Sequence, residues 1–479
     1  MTALRLIGLA LVAAFTITSP ALAAGGGAGA PHLDGGELGL IWIVPFCGIL
    51  LSIALFPLLA PDFWHHHFGK ISAFWAAAFL VPFVAIFGAS LALFEVLHVL
   101  LLEYIPFIIL LLSLFTVAGG IRLKGRLVGS PIVNTGILLL GTVLASWMGT
   151  TGAAMLLIRP LLRANEGRRY KVHTVVFFIF LVANIGGSLT PLGDPPLFLG
   201  FLKGVSFFWP TQHMLMPMLL IAAILLVLYY IVDTILVRRE GPKPAPVANS
   251  EPEEALAITG LINFVLLGGV IGAVLLSGIW KPHVSFDIYH VHVELQNITR
   301  DLLLLLIAYV SWKVTDMDNR EANGFTWFPI MEVGKLFVGI FLTIVPAIAI
   351  LKAGTDGALG GVVALVTNAD GTANDIMYFW MTGILSSFLD NAPTYLVFFN
   401  TAGGDAAQLM TEMASTLLAI SAGAVFMGAN TYIGNAPNFM VRAIAEEQNV
   451  AMPSFFGYMV WSFGILVPIF FLMTFVFFT

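Results

Sequence analysis

Charge is what this chain has least of. Only 10% of its 479 residues are Asp, Glu, Lys or Arg, whereas a soluble globular protein carries about 25%. Hydrophobic residues make up 59% of the chain, and the mean hydropathy is +0.96. These values exclude a soluble globular domain. They predict an all-α protein that crosses a lipid bilayer many times, with no nucleic-acid partner.

Cysteine and nucleotide-binding motifs are also scarce. The only cysteine is Cys47, so the chain can form no intrachain disulfide and gives no sign of redox chemistry. A Walker A sequence, which would cradle the phosphates of ATP, does not occur. We therefore expect neither an enzyme nor a pump driven by ATP, and no cofactor.

The first residues are typical of a bacterial export signal, which would direct the protein to the inner membrane. Arg5 precedes the apolar run 6–17, and Ala21-Leu22-Ala23 has the small residues of a cleavage site. Removal of residues 1–23 would leave the glycine-rich segment 24–37 outside the cytoplasm. The alternative is an uncleaved first helix.

Apolar stretches divide the rest of the chain. A span needs about 20 residues, and the candidates are 38–60, 71–95, 104–121, 213–237, 256–279, 300–313, 331–351 and 455–478. The stretches 172–202 and 414–442 contain Gly, Pro or Asn breaks, which predicts broken helices. Two others, 131–165 and 374–400, have polar residues at their centres.

The positions of Lys and Arg orient these stretches. Basic residues flank 131–165 on both sides, so both flanks are expected in the cytoplasm. The stretch is too short for two crossings, which predicts a re-entrant hairpin with its tip near 147–152. No Lys or Arg occurs in 353–441, so the hairpin at 374–400 is expected to enter from outside. The Pro-rich, charged segment 238–255 reads as a cytoplasmic linker.

The two sides of this linker repeat one plan. Each has five crossings and one hairpin, and an odd number of crossings inverts the second copy. We therefore predict an inverted repeat, typical of secondary transporters, with copies at 38–237 and 256–479. At an offset of 240, Ser146 aligns with Ser386 and Thr150-Thr151 with Asp390-Asn391; at 241, Thr190, Gly193, Asp194 and Pro196 align with Thr431, Gly434, Asn435 and Pro437. Chance similarity of small and helix-breaking residues is the alternative.

Two carboxylates, Asp194 and Asp390, lie at these breaks, although a charge in hydrocarbon is costly. Broken helices expose backbone groups that bind ions, and an acid that takes either a proton or a cation is the minimum needed for exchange. We therefore predict a Na⁺ or Li⁺ site at these acids. Neutral oxygens are expected from Thr150, Thr151, Thr190, Asn391, Thr431 and Asn435. The alternative is structural: a helix cap at Asp390 and an Asp-Pro turn at Asp194.

Three further ionisable residues are candidates for a proton relay. Glu103 and Glu332 begin the third span of each copy, and Lys335 follows Glu332 at a spacing that allows an ion pair on one helix face. The alternative is that these residues anchor the ends of the spans or pair within the membrane.

Four motifs resemble those of the ion transporter superfamily: SWMGTTGAA (146–154), GGSLTPLGDPP (186–196), SSFLDNAPT (386–394) and GANTYIGNAPN (428–438). That group includes NhaD-type sodium/proton antiporters and citrate transporters. The resemblance implies a homodimer in which a transport domain, built from two hairpins and two broken helices, moves as an elevator against a scaffold.

The hairpin tips separate two functions within that superfamily. Its sodium/carboxylate symporters carry Ser-Asn-Thr at both tips, whereas this chain has Gly149-Thr150-Thr151 and Leu389-Asp390-Asn391. The second tip looks more like that of the NhaD-type antiporters. The resemblance therefore implies exchange of Na⁺ or Li⁺ for protons. The alternative is cation-coupled transport of citrate or a dicarboxylate.

Overall fold

The computed structural model of the chain describes residues 20–22, 31–125, 127–241 and 256–479. Most of the expected signal (1–23), part of the segment 24–37 and most of the linker 238–255 lie outside these residues, so their cleavage and location stay predictions. Within the described residues, nine helical elements are long and apolar enough to cross a bilayer. A helical polytopic membrane protein is thereby confirmed.

The helices of the first half are joined mostly by short turns. They are α1 (Val44–Leu59), α2 (Pro61–Phe87), α3 (Ala89–Val99), α4 (Ile105–Ala118), α5 (Pro131–Met148), α6 (Thr150–Ala164), α7 (Val172–Leu181), α8 (Pro195–Leu202) and α9 (Trp209–Glu240). Five residues of π-helix, Leu100–Tyr104, join α3 to α4, and a 3-10 turn, Ile185–Leu189, follows α7.

The second half contains a comparable series. Its helices are α10 (Ile262–Ile279), α11 (Leu295–Val314), α12 (Met317–Ala322), α13 (Phe328–Thr343), α14 (Val345–Lys352), α15 (Gly360–Leu365), α16 (Asp375–Phe388), α17 (Asn391–Thr401), α18 (Ala406–Met410), α19 (Ala414–Met427), α20 (Ala436–Glu447) and α21 (Phe455–Phe477). A 3-10 turn, Gly428–Asn430, follows α19.

Five short strands accompany the helices, which an all-α prediction does not include. They are β1 (Pro20–Leu22), β2 (Arg122–Lys124), β3 (Ala257–Thr259), β4 (Val284–Ile288) and β5 (Val291–Glu294). The order β1-β4-β5 forms one antiparallel sheet, and β2 pairs with β3. Strands of three to five residues are too short to show a clear alternating pattern in the sequence. The β2–β3 ribbon ties the end of α4 to the start of the second half.

Some expected boundaries are wrong because an apolar run does not reveal where the chain turns. The second span was expected to end at residue 95, but the turn comes at Gly88, whose φ of 86° suits glycine. Glu103 consequently does not begin a span; it lies inside the long element Ala89–Ala118. The short span expected at 300–313 is the longer helix α11.

The helices form two packing groups. Group one contains α1–α4, α10, α11, α13 and α14; group two contains α5–α9, α16, α17 and α19–α21. The main helix contacts between the groups join α4 to α6, α14 to α17, and the π-helical segment to α8. Group two holds both pairs of helices that meet at tips and both broken helices.

The two broken helices are interrupted as predicted. α7 ends at Leu181 and the next α-helix starts only at Pro195, while α19 ends at Met427 and the next begins at Ala436. A proline stands in the first turn of both restarting helices, where its missing N–H has no intrahelical partner to lose. The breaks therefore leave irregular backbone inside the protein.

Candidate functional site

Asp194 lies at the centre of a buried polar network. Its side chain is almost inaccessible, at 1% exposure. Asn391 donates from Nδ2 to Oδ2 at 2.6 Å, and Asn435 donates from Nδ2 to Oδ1 at 3.1 Å. Thr150 donates a longer bond, 3.4 Å, from Oγ1 to Oδ1. Residues from both halves of the chain thus meet on one carboxylate.

Four helix N-termini converge on this carboxylate. Asp194 and Asn435 are the residues before α8 and α20, while Thr150 and Asn391 are the first residues of α6 and α17. The N–H of Thr150 also donates to the carbonyl of Gly193 at 2.9 Å, which holds α6 against the break. Each N-terminus carries a partial positive charge, so together they stabilise negative charge at this point.

A threonine fixes each hairpin to its neighbouring break. Thr190 Oγ1 donates to the carbonyl of Ser146, and Thr431 Oγ1 donates to the carbonyl of Ser387 at 2.5 Å. Both hydroxyls also accept a backbone N–H two residues later, at 3.1 and 3.2 Å. These bonds let Thr190 and Thr431 hold the hairpins in position, and each hydroxyl oxygen keeps one further lone pair.

Equivalent hydrogen bonds show which residues of the two halves correspond to each other. The hydroxyl of Ser146 donates to Gly186 O at 2.5 Å, and that of Ser387 donates to Met427 O at 3.1 Å. Every equivalent pair is separated by 241 residues, so the hairpin counterpart of Ser146 is Ser387, not Ser386. Two consecutive serines allow either alignment in the sequence, and only the hydrogen bonds choose between them. Thr150 then corresponds to Asn391.

Two pairs of glycines bring the backbone into direct contact within each break. A β-carbon at Gly193 would overlap the carbonyl of Gly187, and one at Gly434 would lie 2.5 Å from the carbonyl oxygen of Gly428. Both pairs again differ by 241 residues. Only glycine permits so close an approach, which explains why these motifs contain glycine where a span would favour larger residues.

Unpartnered oxygens lie beside the network. Asn391 Oδ1 and Asn430 Oδ1 are buried and accept no hydrogen bond, although Asn430 Nδ2 donates to Ser387 Oγ at 2.9 Å. Carboxylate and amide oxygens suit hard cations. Among the described residues, no group of three or more His, Cys, Asp or Glu could hold a metal ion. The atoms that line the site are thus carboxylate, amide and hydroxyl oxygens and amide nitrogens.

Asp390 lies at the second tip, where the sequence places it, and its side chain contacts the start of the following helix. Its Oδ1 accepts the N–H of Ala392 at 3.0 Å, so it caps α17. It makes no hydrogen bond to Asp194, although the charges of the two carboxylates interact. The geometry thus gives Asp390 the capping role of the alternative interpretation and leaves Asp194 as the carboxylate within the amide network.

The other predicted residues lie apart from Asp194. Thr151 is half-buried, and the described structure gives its hydroxyl no hydrogen bond. The expected pairing of Glu332 with Lys335 does not form, because each side chain meets α2 instead. Glu332 contacts Trp64, and the Lys335 Nζ lies 5.4 Å from the centre of the Phe68 ring. Glu103 is paired elsewhere, with Lys203.

Two asparagines that the sequence did not single out connect the breaks to each other. Asn184 donates from Nδ2 to Asn438 Oδ1 at 2.7 Å, and its own Oδ1 accepts from Asn435 at 3.3 Å. Asn438 donates in turn to the carbonyls of Gly428 and Thr431. Asn184 is a lone amide in an apolar run and Asn438 ends the motif 428–438, and no spacing in the sequence shows that the two amides contact each other.

Comparison with known proteins identifies the family of this chain. Residues 35–478 match the model of the family described as "Putative citrate transport". The chain belongs to this family. The resemblance to the ion transporter superfamily is thereby confirmed, and the membership identifies a membrane transporter. Uncharacterized transporters of Mycobacterium bovis and of Mycobacterium tuberculosis are each 25% identical over 361 residues, covering 71% of this chain and 78% of theirs.

Proposed function

We propose that this transporter exchanges Na⁺ or Li⁺ for protons, with Asp194 binding either ion. In the proposed cycle the deprotonated carboxylate binds a cation together with oxygens of Asn391, Asn435 and Thr150. Protonation of Asp194 then releases the cation on the other side of the membrane. Asp390, at the neighbouring tip, contributes its negative charge to the same region.

The observation that carries this proposal is the composition of the Asp194 network. One buried carboxylate is surrounded by amides and a hydroxyl, and the adjacent Asn391 Oδ1 is free to face a cation. Within the described residues, no Lys or Arg makes a hydrogen bond to this network. Arg159, the basic residue nearest in sequence to Thr150, donates instead to the carbonyl of Asn323 and to Glu447, and Arg442, the nearest to Asn435, donates to Glu446. A citrate ion would have to bind beside Asp194 without such a counter-charge.

The two packing groups offer a way to expose the site alternately. We propose that group two moves as the transport domain while group one stays in place as the scaffold of a homodimer. The hydrogen bonds of Thr190 and Thr431 fasten the tips and the breaks together. The site would therefore move as one body, which is the elevator mechanism expected from the resemblance.

Cation-coupled transport of a carboxylate is the second candidate. The family description supports it, and so do the four helix N-termini at the site, which attract anions. In this version a cation bound at Asp194 would neutralise the carboxylate before a citrate or dicarboxylate enters.

Reconstitution into proteoliposomes that contain a pH-sensitive dye separates the two candidates. Exchange predicts that external Na⁺ or Li⁺ alone moves protons, that citrate adds nothing, and that Asp194→Asn and Asp390→Asn abolish the signal. Asn remains a good helix cap, so Asp390→Asn should stay folded. A signal that requires citrate, or labelled citrate uptake driven by Na⁺, would overturn the exchange proposal in favour of the second candidate.

A further inference from the structure

A second buried carboxylate lies away from the Asp194 network, in the π-helical segment between α3 and α4. Glu103 is only 5% exposed, and its Oε1 accepts the Nζ of Lys203 at 2.5 Å. Its other oxygen, Oε2, is buried and has no hydrogen-bond partner. π-Helical turns are rare in proteins, and those that exist frequently lie at functional sites. Glu103 is therefore a half-satisfied acid at an unusual position in the helix.

The ion pair joins the two packing groups. Glu103 lies in group one, whereas Lys203 directly follows α8 of group two. The Lys203 side chain retains 23% exposure and the Glu103 side chain only 7%. If the groups move relative to each other, Lys203 moves with group two, while Glu103 remains on its helix in group one.

Other ionisable side chains surround this pair. Glu95 and His98 belong to α3, Lys352 ends α14, and the charges of all three interact with that of Glu103. The packed helix α13 also carries Glu332 and Lys335, but these face Trp64 and Phe68 on α2. Lys203 is thus the residue whose ammonium group contacts the Glu103 carboxylate directly.

Loss of the Lys203 ammonium group would change the free energy of burying the Glu103 carboxylate. A buried carboxylate that loses its only hydrogen-bonded cation keeps the full penalty of desolvation. It avoids that penalty by taking a proton, because the neutral acid is much cheaper to bury. The neutral acid also gains an O–H donor. The proton that Glu103 takes up would replace the positive charge that leaves with the Lys203 ammonium group.

We propose that Glu103 is a second proton-binding site, in which a proton and the Lys203 ammonium group compete for one buried carboxylate. The existence of this site does not depend on the ion that the protein transports. Its coupling to the transport cycle does rest on the proposed movement of group two.

Infrared spectroscopy of the purified, reconstituted protein at neutral pH tests the site without any transport. Lys203→Met should add a C=O stretching band of a protonated carboxyl group, because Glu103 loses its counter-ion. The double variant Lys203→Met/Glu103→Gln should lack that band. No new band in Lys203→Met, or a band that persists in the double variant, would overturn the proposal.

The pH profile of proton-coupled flux tests the coupling. Glu103→Gln, which mimics the protonated acid, should change the slope or midpoint of this profile, and the exposed Glu412→Gln should leave it as in the wild type. A profile identical in Glu103→Gln and wild type would overturn the coupling, whatever ion is transported. If the infrared band appears and no Na⁺-driven flux exists, the exchange proposal fails while the second site stands.

Discussion

The two halves of the chain contribute the same hydrogen-bonding pattern to the Asp194 network but different side chains. At positions 241 residues apart, Thr190 and Thr431 make the same bond to a serine carbonyl. The equivalent side chains at the breaks, however, are Asp194 in the first half and Asn435 in the second. The hydrogen bonds that shape the backbone are repeated, and the acid is not.

At the hairpin tips the acid is in the second half and not in the first. Gly149, with a φ of 82°, opens the first tip, whereas the equivalent residue in the second is the capping acid Asp390. Each half therefore contributes one carboxylate, one at a break and one at a tip. A repeated set of hydrogen bonds thus holds an asymmetric site, and residues 241 positions apart can be compared directly.

The largest effect is expected at the equivalent pair Asp194 and Asn435. Asp194→Asn removes the carboxylate that accepts three hydrogen bonds, so exchange should be abolished, a fall of well over about tenfold, which corresponds to more than about 1.4 kcal/mol. Asn435→Asp places a second charge beside the first and should also abolish flux. Rates in proteoliposomes measure both variants.

The exchanged double variant, Asp194→Asn/Asn435→Asp, sharpens this test. It restores one carboxylate to the network at the equivalent position, so part of the lost flux should return. A double variant as inactive as Asp194→Asn would mean that the two halves are not interchangeable. Elution as a single species in size-exclusion chromatography confirms that each variant is folded.

A smaller effect is expected at the two glycine contacts within the breaks. Gly193→Ala forces a β-carbon into the carbonyl of Gly187 and should destabilise the protein by about 1–3 kcal/mol. Gly434→Ala should destabilise it by a smaller amount, because the β-carbon would lie farther from the carbonyl oxygen of Gly428. Gly136→Ala is a matched control, because a β-carbon there meets nothing within 4 Å. Thermal unfolding in detergent measures all three, and equal melting temperatures would contradict the contact.

The smallest effect is expected at the first tip. Thr150→Val removes one long hydrogen bond to Asp194 and one neutral oxygen proposed to face the cation, a loss of about 1 kcal/mol, so the apparent cation affinity should weaken a few-fold. Thr151→Val should have no effect, because the described structure gives that hydroxyl no partner. A flux titration with Na⁺ compares them, and a larger loss in Thr151→Val would reverse the assignment.

Much of the fold follows from the sequence because membrane helices leave a strong signal. The breaks at 186–196 and 428–438 were readable, since Pro, Gly and Asp disrupt an apolar helix for physical reasons. The turn at Gly88 was not, because one glycine in an apolar run is compatible with a continuous helix. The π-helical segment at Leu100–Tyr104 likewise leaves no periodic signature.

The site was predictable in part for a similar reason. Asp194 and Asn435 stand at breaks and Asn391 at a hairpin tip, and both features can be located in the sequence, so the sequence marks these residues as candidates. Whether a side chain there binds an ion or a neighbour depends on contacts across about 200 residues, which no local pattern encodes. The capping by Asp390 and the link from Asn184 to Asn438 are of this second kind.

Calorimetric titration of the purified protein with Na⁺, in two buffers that differ in ionisation enthalpy, tests the central claim most directly. If Asp194 binds either a cation or a proton, Na⁺ should bind the wild type with release of a proton, and the measured heat should depend on the buffer. Asp194→Asn should show neither effect. Unchanged Na⁺ binding in Asp194→Asn, or binding without proton release in the wild type, would contradict the account.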